Sequence, residues 1–190
     1  IILLTKNVVF QLSTLEEESK PTLENIFISN VDIGECQKLI RNQEHLKDED
    51  DLIILKTDIK SKDSKATFVQ YEIYTPNKTK VDLKVCQNTS IYINTPINLP
   101  QELESLYNSL NESGYNLFNS NDSFYNDICT PYTSEIGIDI PILDRQNEIY
   151  NNLKDYTLCQ NNCTFLYYNS TTKKSKCDCK VQIEETITES

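Results

Sequence analysis

The sequence predicts a mostly β fold with α+β character: an antiparallel β-sandwich-like module with one packed helix, followed by a second helix and a disulfide-rich region. Short segments rich in β-branched and aromatic residues recur through the first half and are separated by turns. The connections between them are too short for crossover helices, so antiparallel pairing is expected. Seven cysteines in 190 residues indicate disulfides formed in an oxidising compartment.

Residues 1–98 are expected to form the β-sandwich-like domain. Its strands are predicted where β-branched residues cluster or where apolar and polar residues alternate. The predicted segments are Ile1–Leu12, which holds one or two strands, Leu52–Ile59, Thr67–Tyr74, Val81–Val85 and Ser90–Thr95. The acidic, polar segment 14–21 between the first two is interpreted as a linker.

One helix is expected to pack on these strands. The segment Asp32-Ile-Gly-Glu35 has the form of a capping box, in which Asp32 accepts the amide of Glu35 and Glu35 reaches back. The helix that follows would carry Cys36, Leu39 and Ile40 on one face. A disulfide between Cys36 and Cys86 would then tie this helix to the sheet.

The proline-flanked segment Pro96–Pro100 is the best candidate for a boundary. Residues 99–128 are expected to be a helix and a connector, because apolar residues recur at helical spacing and Gly114 can end the helix. The residues of this apolar face are Leu103, Leu106, Tyr107 and Leu110. Residues 129–190 are expected to form the disulfide-rich region.

Charge and hydropathy exclude several classes of function. A formal net charge of −11 is unsuited to nucleic acid, whose phosphates need a basic surface, and to anionic lipid headgroups. No apolar run approaches the roughly 20 residues of a membrane-spanning helix, so direct membrane insertion by this segment is not expected. The apolar stretch Ile1–Leu4 lacks the basic region of a signal peptide, so we expect any signal or anchor to lie outside this chain.

Six Asn-x-Ser/Thr sequons occur, and together with the cysteines they predict N-linked glycans on an extracellular or cell-surface protein. Their asparagines are Asn77, Asn88, Asn111, Asn121, Asn162 and Asn169.

Metal and catalytic signatures are weak. Cys159-x3-Cys163 fits one zinc knuckle, but Cys177-x-Cys179 is too tight for the other. The acidic run Asp48–Asp51 lacks the alternating pattern of a calcium loop, and His45, the single histidine, lies in a charged stretch typical of solvent-exposed residues. We predict no catalytic residue, metal or cofactor; a hydrolase using paired carboxylates is the weakest hypothesis.

The run Cys159-x3-Cys163-x13-Cys177-x-Cys179, with Cys129 upstream, resembles the first five cysteines of an EGF-like module. In that family the first cysteine pairs with the third, the second with the fourth and the fifth with the sixth. The resemblance therefore implies Cys129–Cys163 and Cys159–Cys177, and it leaves Cys179 unpaired or joined to a partner outside this chain.

Other segments resemble a recurring part of large, uncharacterised Cys- and Asn-rich protist cell-surface proteins. They are Val31–Cys36, Tyr115–Phe118, Asn121–Cys129 and Tyr168–Cys179. The resemblance implies a secreted or cell-surface origin and supplies no catalytic residues.

The apolar N-terminal segment suggests a route to assembly. Residues 1–14 either complete their own sheet or are exchanged into the sheet of a neighbouring chain, because an apolar edge left unpaired favours association. Strand exchange of this kind builds open filaments. We therefore expect a non-enzymatic structural subunit or repeat of a surface filament or coat that associates with itself, with an adhesin or receptor ectodomain binding a protein or glycan as the alternative.

Overall fold

The computed structural model describes residues 1–20, 27–60, 67–133, 137–153 and 156–181. The chain divides into two compact units, one formed by residues 1–97 together with those from 158 onward, the other by residues 98–157. This division differs from the expected one of 1–98, 99–128 and 129–190, because the cysteine-rich strands belong to the first unit. The chain leaves that unit after its sixth strand and returns to it for the last two.

The elements of the first unit are β1 (Ile2–Leu4), β2 (Val8–Thr14), α1 (Leu15–Ser19), β3 (Asn30–Asp32), α2 (Cys36–Gln43), β4 (Ile53–Lys60), β5 (Thr67–Tyr74), a 3-10 turn (Leu83–Cys86), β6 (Ile91–Pro96), β7 (Cys163–Asn169) and β8 (Lys174–Cys179). The second unit contains α3 (Gln101–Glu112), α4 (Ser123–Asn126) and three consecutive helical segments: α5 (Ile142–Asp144), a π-helical segment (Arg145–Tyr150) and α6 (Asn151–Leu153). Among the residues described, no helix has the length and apolar character that a membrane span requires.

Two four-stranded antiparallel sheets build the first unit. The first sheet has the order β1-β2-β4-β5 and the second the order β3-β6-β8-β7. Alternate side chains of both sheets point into one hydrophobic core, to which Ile54 and Val69 contribute from the first sheet and Ile93 from the second. Helix α2 adds Cys36 and Ile40 to this core. The structure thus confirms the predicted fold class, antiparallel β sheets with a few helices.

The predicted capping box before α2 is wrong. The Asp32 carboxylate accepts the amide of Gly34, and Glu35, the residue that caps the helix, makes no side-chain capping bond. A capping box occurs instead before α1, where the Thr14 hydroxyl accepts the Glu17 amide and the Glu17 carboxylate accepts the Thr14 amide. The acidic segment interpreted as a linker therefore begins with a helix, because its first turn satisfies its own amides.

The alternating segment Val81–Val85 does not form a strand. Val81 is buried, but the Asp82 carboxylate accepts the amide of Lys84 and starts the 3-10 turn that ends at Cys86. Cys86 is disulfide-bonded to Cys36 on α2. The turn places Cys86 inside the core, where it is fully buried.

Candidate functional site

The disulfides of the structure correct the pairing implied by the EGF-like resemblance. Cys36 is bonded to Cys86 and Cys159 to Cys177, which are two of the three expected pairs. Cys163 is bonded to Cys179, so the expected Cys129–Cys163 bond and an unpaired Cys179 are both wrong. Cys129 is the free cysteine, and it is exposed.

Strand register explains the third disulfide. Cys163 on β7 lies directly opposite Cys179 on β8, with their Cα atoms 4.0 Å apart. Cys177, two residues before Cys179, faces the same side of the strand because side chains in a strand alternate. Turn residues between Asn169 and Lys174 lie midway between Cys163 and Cys179, and this symmetry was the sequence signal that could have identified the hairpin and its bond.

The cysteine-rich segment is therefore an outer hairpin of the second sheet. β8 pairs with β6 on one side and with β7 on the other. A loop-closure model assigns about 3 kcal/mol to each disulfide that closes 16 or 18 residues and about 4 kcal/mol to the one that closes 50. One bond joins α2 to the 3-10 turn, one joins the segment before β7 to β8, and one joins the neighbouring strands β7 and β8, so all three have a structural role.

A buried ionic cluster, which we call the inter-sheet cluster, lies between the two sheets; sequence reasoning did not find it. Lys56 on β4 and Glu18 on α1 are 1% and 2% exposed, and the Lys56 Nζ lies 2.8 Å from Glu18 Oε2. The Glu18 carboxylate also accepts bonds from the Gln11 amide, the Ser13 hydroxyl and the Val31 backbone amide. All four acceptor positions of this carboxylate are thereby used.

The second half of the inter-sheet cluster joins β4 and β8 to the residues around β3. The Asp58 carboxylate accepts the backbone amide of Ser29 at 2.7 Å and its hydroxyl at 2.6 Å. Lys174, at the start of β8, places its Nζ 2.6 Å from Oδ1 of Asn30. Burial, reinforced by the positive charge of Lys56, lowers the pKa of the Lys174 ammonium to about 8.

The second unit is organised around a buried arginine. Arg145 is 1% exposed and donates to the backbone carbonyl oxygens of Ile140, Phe124 and Thr130 at 2.7, 3.2 and 2.8 Å. Its guanidinium lies 5.3 Å from the centre of the Phe124 ring and 3.3 Å from the Asp139 carboxylate. Because its donors are satisfied by main-chain oxygens of three separate segments, Arg145 positions loops and is not presented to a ligand.

An exposed apolar surface covers the outer side of the first sheet; we call it the outer apolar face. The strand register places Phe10 between Leu3 and Thr57, and Leu12 beside Leu55. Its members are Ile1, Leu3, Val8, Phe10, Leu12, Ile53, Leu55, Ile59 and Phe68. Leu3 is 63% exposed and Phe10 41%. Residues 1–14 thus complete their own sheet in this structure, and their exchange between copies stays a prediction.

A small polar cleft lies where α1, β3 and α2 meet, with a volume of about 280 Å³. Four carboxylates and one guanidinium line it, contributed by Glu16, Asp32, Asp48, Asp51 and Arg41. Across the part of the chain that the structure describes, no group of three His, Cys, Asp or Glu side chains is placed to hold a metal ion. His45 is exposed.

All six sequon asparagines are exposed, as the enzyme that attaches N-glycans requires. Asn162 directly precedes β7, Asn169 is its last residue, and Asn77 lies in the turn after β5. Occupancy of these sites stays a prediction.

Comparison with known proteins gives this chain no relative from which function could be transferred. No protein-family model, curated protein or solved structure matches it. The resemblances to EGF-like modules and to protist surface proteins stay hypotheses.

Proposed function

We propose that this chain is a non-enzymatic structural module of the extracellular space or cell surface, which associates with further copies of itself as the subunit or repeat of a filament or coat. The outer apolar face carries this proposal. Three disulfides support an oxidising compartment, since such bonds persist where thiols are not kept reduced.

The outer apolar face covers much of one side of the first sheet. That whole side, four strands about 4.8 Å apart and four rows of side chains about 7 Å apart, spans roughly 500 Å². Polar side chains such as Thr57, Gln70 and Glu72 take up part of it, so the apolar patch lies within the range that monomers leave exposed, about 300–600 Å². Faces of this kind are stabilised when two sheets stack on each other.

The distribution of charge favours a second copy as the occupant. The chain carries a net charge of −11, so two copies repel each other over most of their surface. Among the described residues that the register places on this face, Glu72 is the one charged side chain, and the Lys80 ammonium lies 2.7 Å from its carboxylate. The ammonium of Ile1, at the edge of the face, donates to the Leu12 carbonyl oxygen. Association through this face therefore buries apolar area with little electrostatic cost.

Glycans at the predicted sites would leave this face open. None of the six sequon asparagines lies on β1, β2, β4 or β5. Bulky glycans elsewhere would restrict association to the surface that carries none.

Sedimentation equilibrium tests the proposal. We expect the wild-type chain to associate at micromolar concentration, and the neighbouring changes Leu3→Lys and Phe10→Lys together to leave it monomeric, because two ammonium groups cannot be buried in an apolar contact. Leu143→Lys is the matched control, since Leu143 is 64% exposed in the second unit and its change should not affect association. A wild-type chain that stays monomeric at all concentrations would contradict the proposal.

The alternative is an adhesin or receptor ectodomain that binds a protein or glycan. The polar cleft beside Arg41 supports it, because paired carboxylates and a guanidinium can bind sugar hydroxyls. Its volume lies just below the roughly 300–1,000 Å³ of most ligand pockets. A monomeric chain that captures a glycan on an array, with capture lost on Arg41→Ala, would favour this function over the first.

A further inference from the structure

We propose that Lys174 and Asn30 react within the folded chain to form an isopeptide bond that joins β8 to β3. The two residues lie 144 positions apart in sequence. The Lys174 Nζ lies 2.6 Å from the side-chain oxygen of Asn30, and the amide carbon is the next atom beyond that oxygen. The fold thus holds an amine beside an amide carbonyl, which is the proximity from which an acyl transfer can start.

The environment of Lys174 increases the share of its amine that is uncharged and nucleophilic. Lys174 is 6% exposed. Burial is the largest influence on its pKa and lowers it to about 8, with the charge of Lys56 acting in the same direction. At neutral pH about a tenth of such amines are uncharged, and an uncharged lysine amine is a competent nucleophile.

We assign the proton transfer to Asp58, whose negative charge acts on Lys174. Its carboxylate binds both the amide and the hydroxyl of Ser29, the residue directly before Asn30. Each Asp58 oxygen accepts one bond from the described residues, which leaves acceptor capacity on both. Glu18, the other buried carboxylate nearby, already accepts four bonds and is not available for this role.

The reaction balances without any further reagent. The Lys174 Nζ attacks the side-chain carbon of Asn30 and forms a C–N bond. A proton passes from Nζ by way of the Asp58 carboxylate to the Asn30 Nδ2, the bond from carbon to Nδ2 breaks, and ammonia leaves. The product is a secondary amide between β8 and β3, and no group is oxidised or reduced.

The inference goes beyond the proposed structural function and does not depend on it. An unreacted Lys174–Asn30 hydrogen bond would give the same short distance. The two cases differ in mass, because the cross-link removes one ammonia, about 17 Da.

The test is the intact mass of the wild-type chain, produced in an oxidising bacterial host that adds no N-glycans, then reduced and fully unfolded. We expect a mass about 17 Da below that of the sequence. Tryptic digestion should yield one joined fragment that contains Asn30 and Lys174, with no cleavage after Lys174. A mass equal to that of the sequence, or a loss of ammonia without joined fragments, would overturn the proposal.

Variants identify the reacting groups. Lys174→Met should restore the full sequence mass, whereas Lys176→Met, two residues along the same strand, should keep the loss. Asp58→Asn should leave most of the chain uncross-linked, and full cross-linking of that variant would rule out Asp58 as the proton carrier. If Lys174→Met does not fold, the mass of the wild-type chain still tests whether the cross-link forms, because that mass is measured on the unfolded chain.

Discussion

Replacing Lys56 by methionine tests whether the inter-sheet cluster holds the first unit together. Methionine keeps most of the aliphatic stem and removes the ammonium. The Glu18 carboxylate would then remain buried, with its side chain fully inaccessible to solvent, and would have only neutral donors. The Ser29 carbonyl oxygen would also lose the donor that Lys56 supplies.

The expected loss of unfolding free energy is about 3–5 kcal/mol, the usual result of removing one partner of a buried ion pair. Domains of this size have about 5–15 kcal/mol in total. With a urea dependence of about 2 kcal/mol per molar, the unfolding midpoint should fall by roughly 2 M. Lys60→Met, at the exposed end of the same strand, is the matched control and should change stability by less than about 0.5 kcal/mol.

A double-mutant cycle with Glu18→Gln separates coupling from general damage. Because the two side chains are in contact, the double variant should be more stable than the sum of the single losses predicts, by about 1–3 kcal/mol. Urea unfolding monitored by circular dichroism gives all four values. A loss below about 1 kcal/mol for Lys56→Met, or strict additivity in the cycle, would refute the reasoning.

Three further changes test the rest of the structure. Cys129→Ser should leave the urea midpoint unchanged and abolish the single thiol that reacts with Ellman's reagent in the folded chain; a reactive thiol that persists would mean that another cysteine is free. Arg145→Lys should destabilise the second unit by about 3 kcal/mol, because an ammonium cannot reproduce the planar donors that reach three carbonyl groups. On heating this variant, the near-ultraviolet circular dichroism of the packed tyrosines should decrease before the signal of the first unit does. Thr14→Ala should cost about 1 kcal/mol of unfolding free energy by removing the capping bond to Glu17, whereas no change in the urea midpoint would contradict that role.

Local pattern was enough to predict much of the secondary structure. The strand Thr67–Tyr74 has the bounds that alternation predicts, and the helix Gln101–Glu112 follows the apolar spacing of Leu103 to Leu110. Both predictions depend only on the pattern of side chains that lie a few residues apart in the sequence. The segment Val81–Val85 shows the limit of this reasoning, because a short Asp82 turn and a disulfide outweighed its alternation.

The sequence by itself determined the fold class, antiparallel strands with a few helices, and it predicted the Cys36–Cys86 bond. Only the tertiary structure decided that β8 lies between β6 and β7, which pairs Cys163 with Cys179. It also decided that Glu18, Lys56 and Lys174 are buried, although charged residues in acidic or polar segments are usually exposed. The physical reason is sequence distance: the contacts of this cluster join residues 38 and 144 positions apart, and no local periodicity records them.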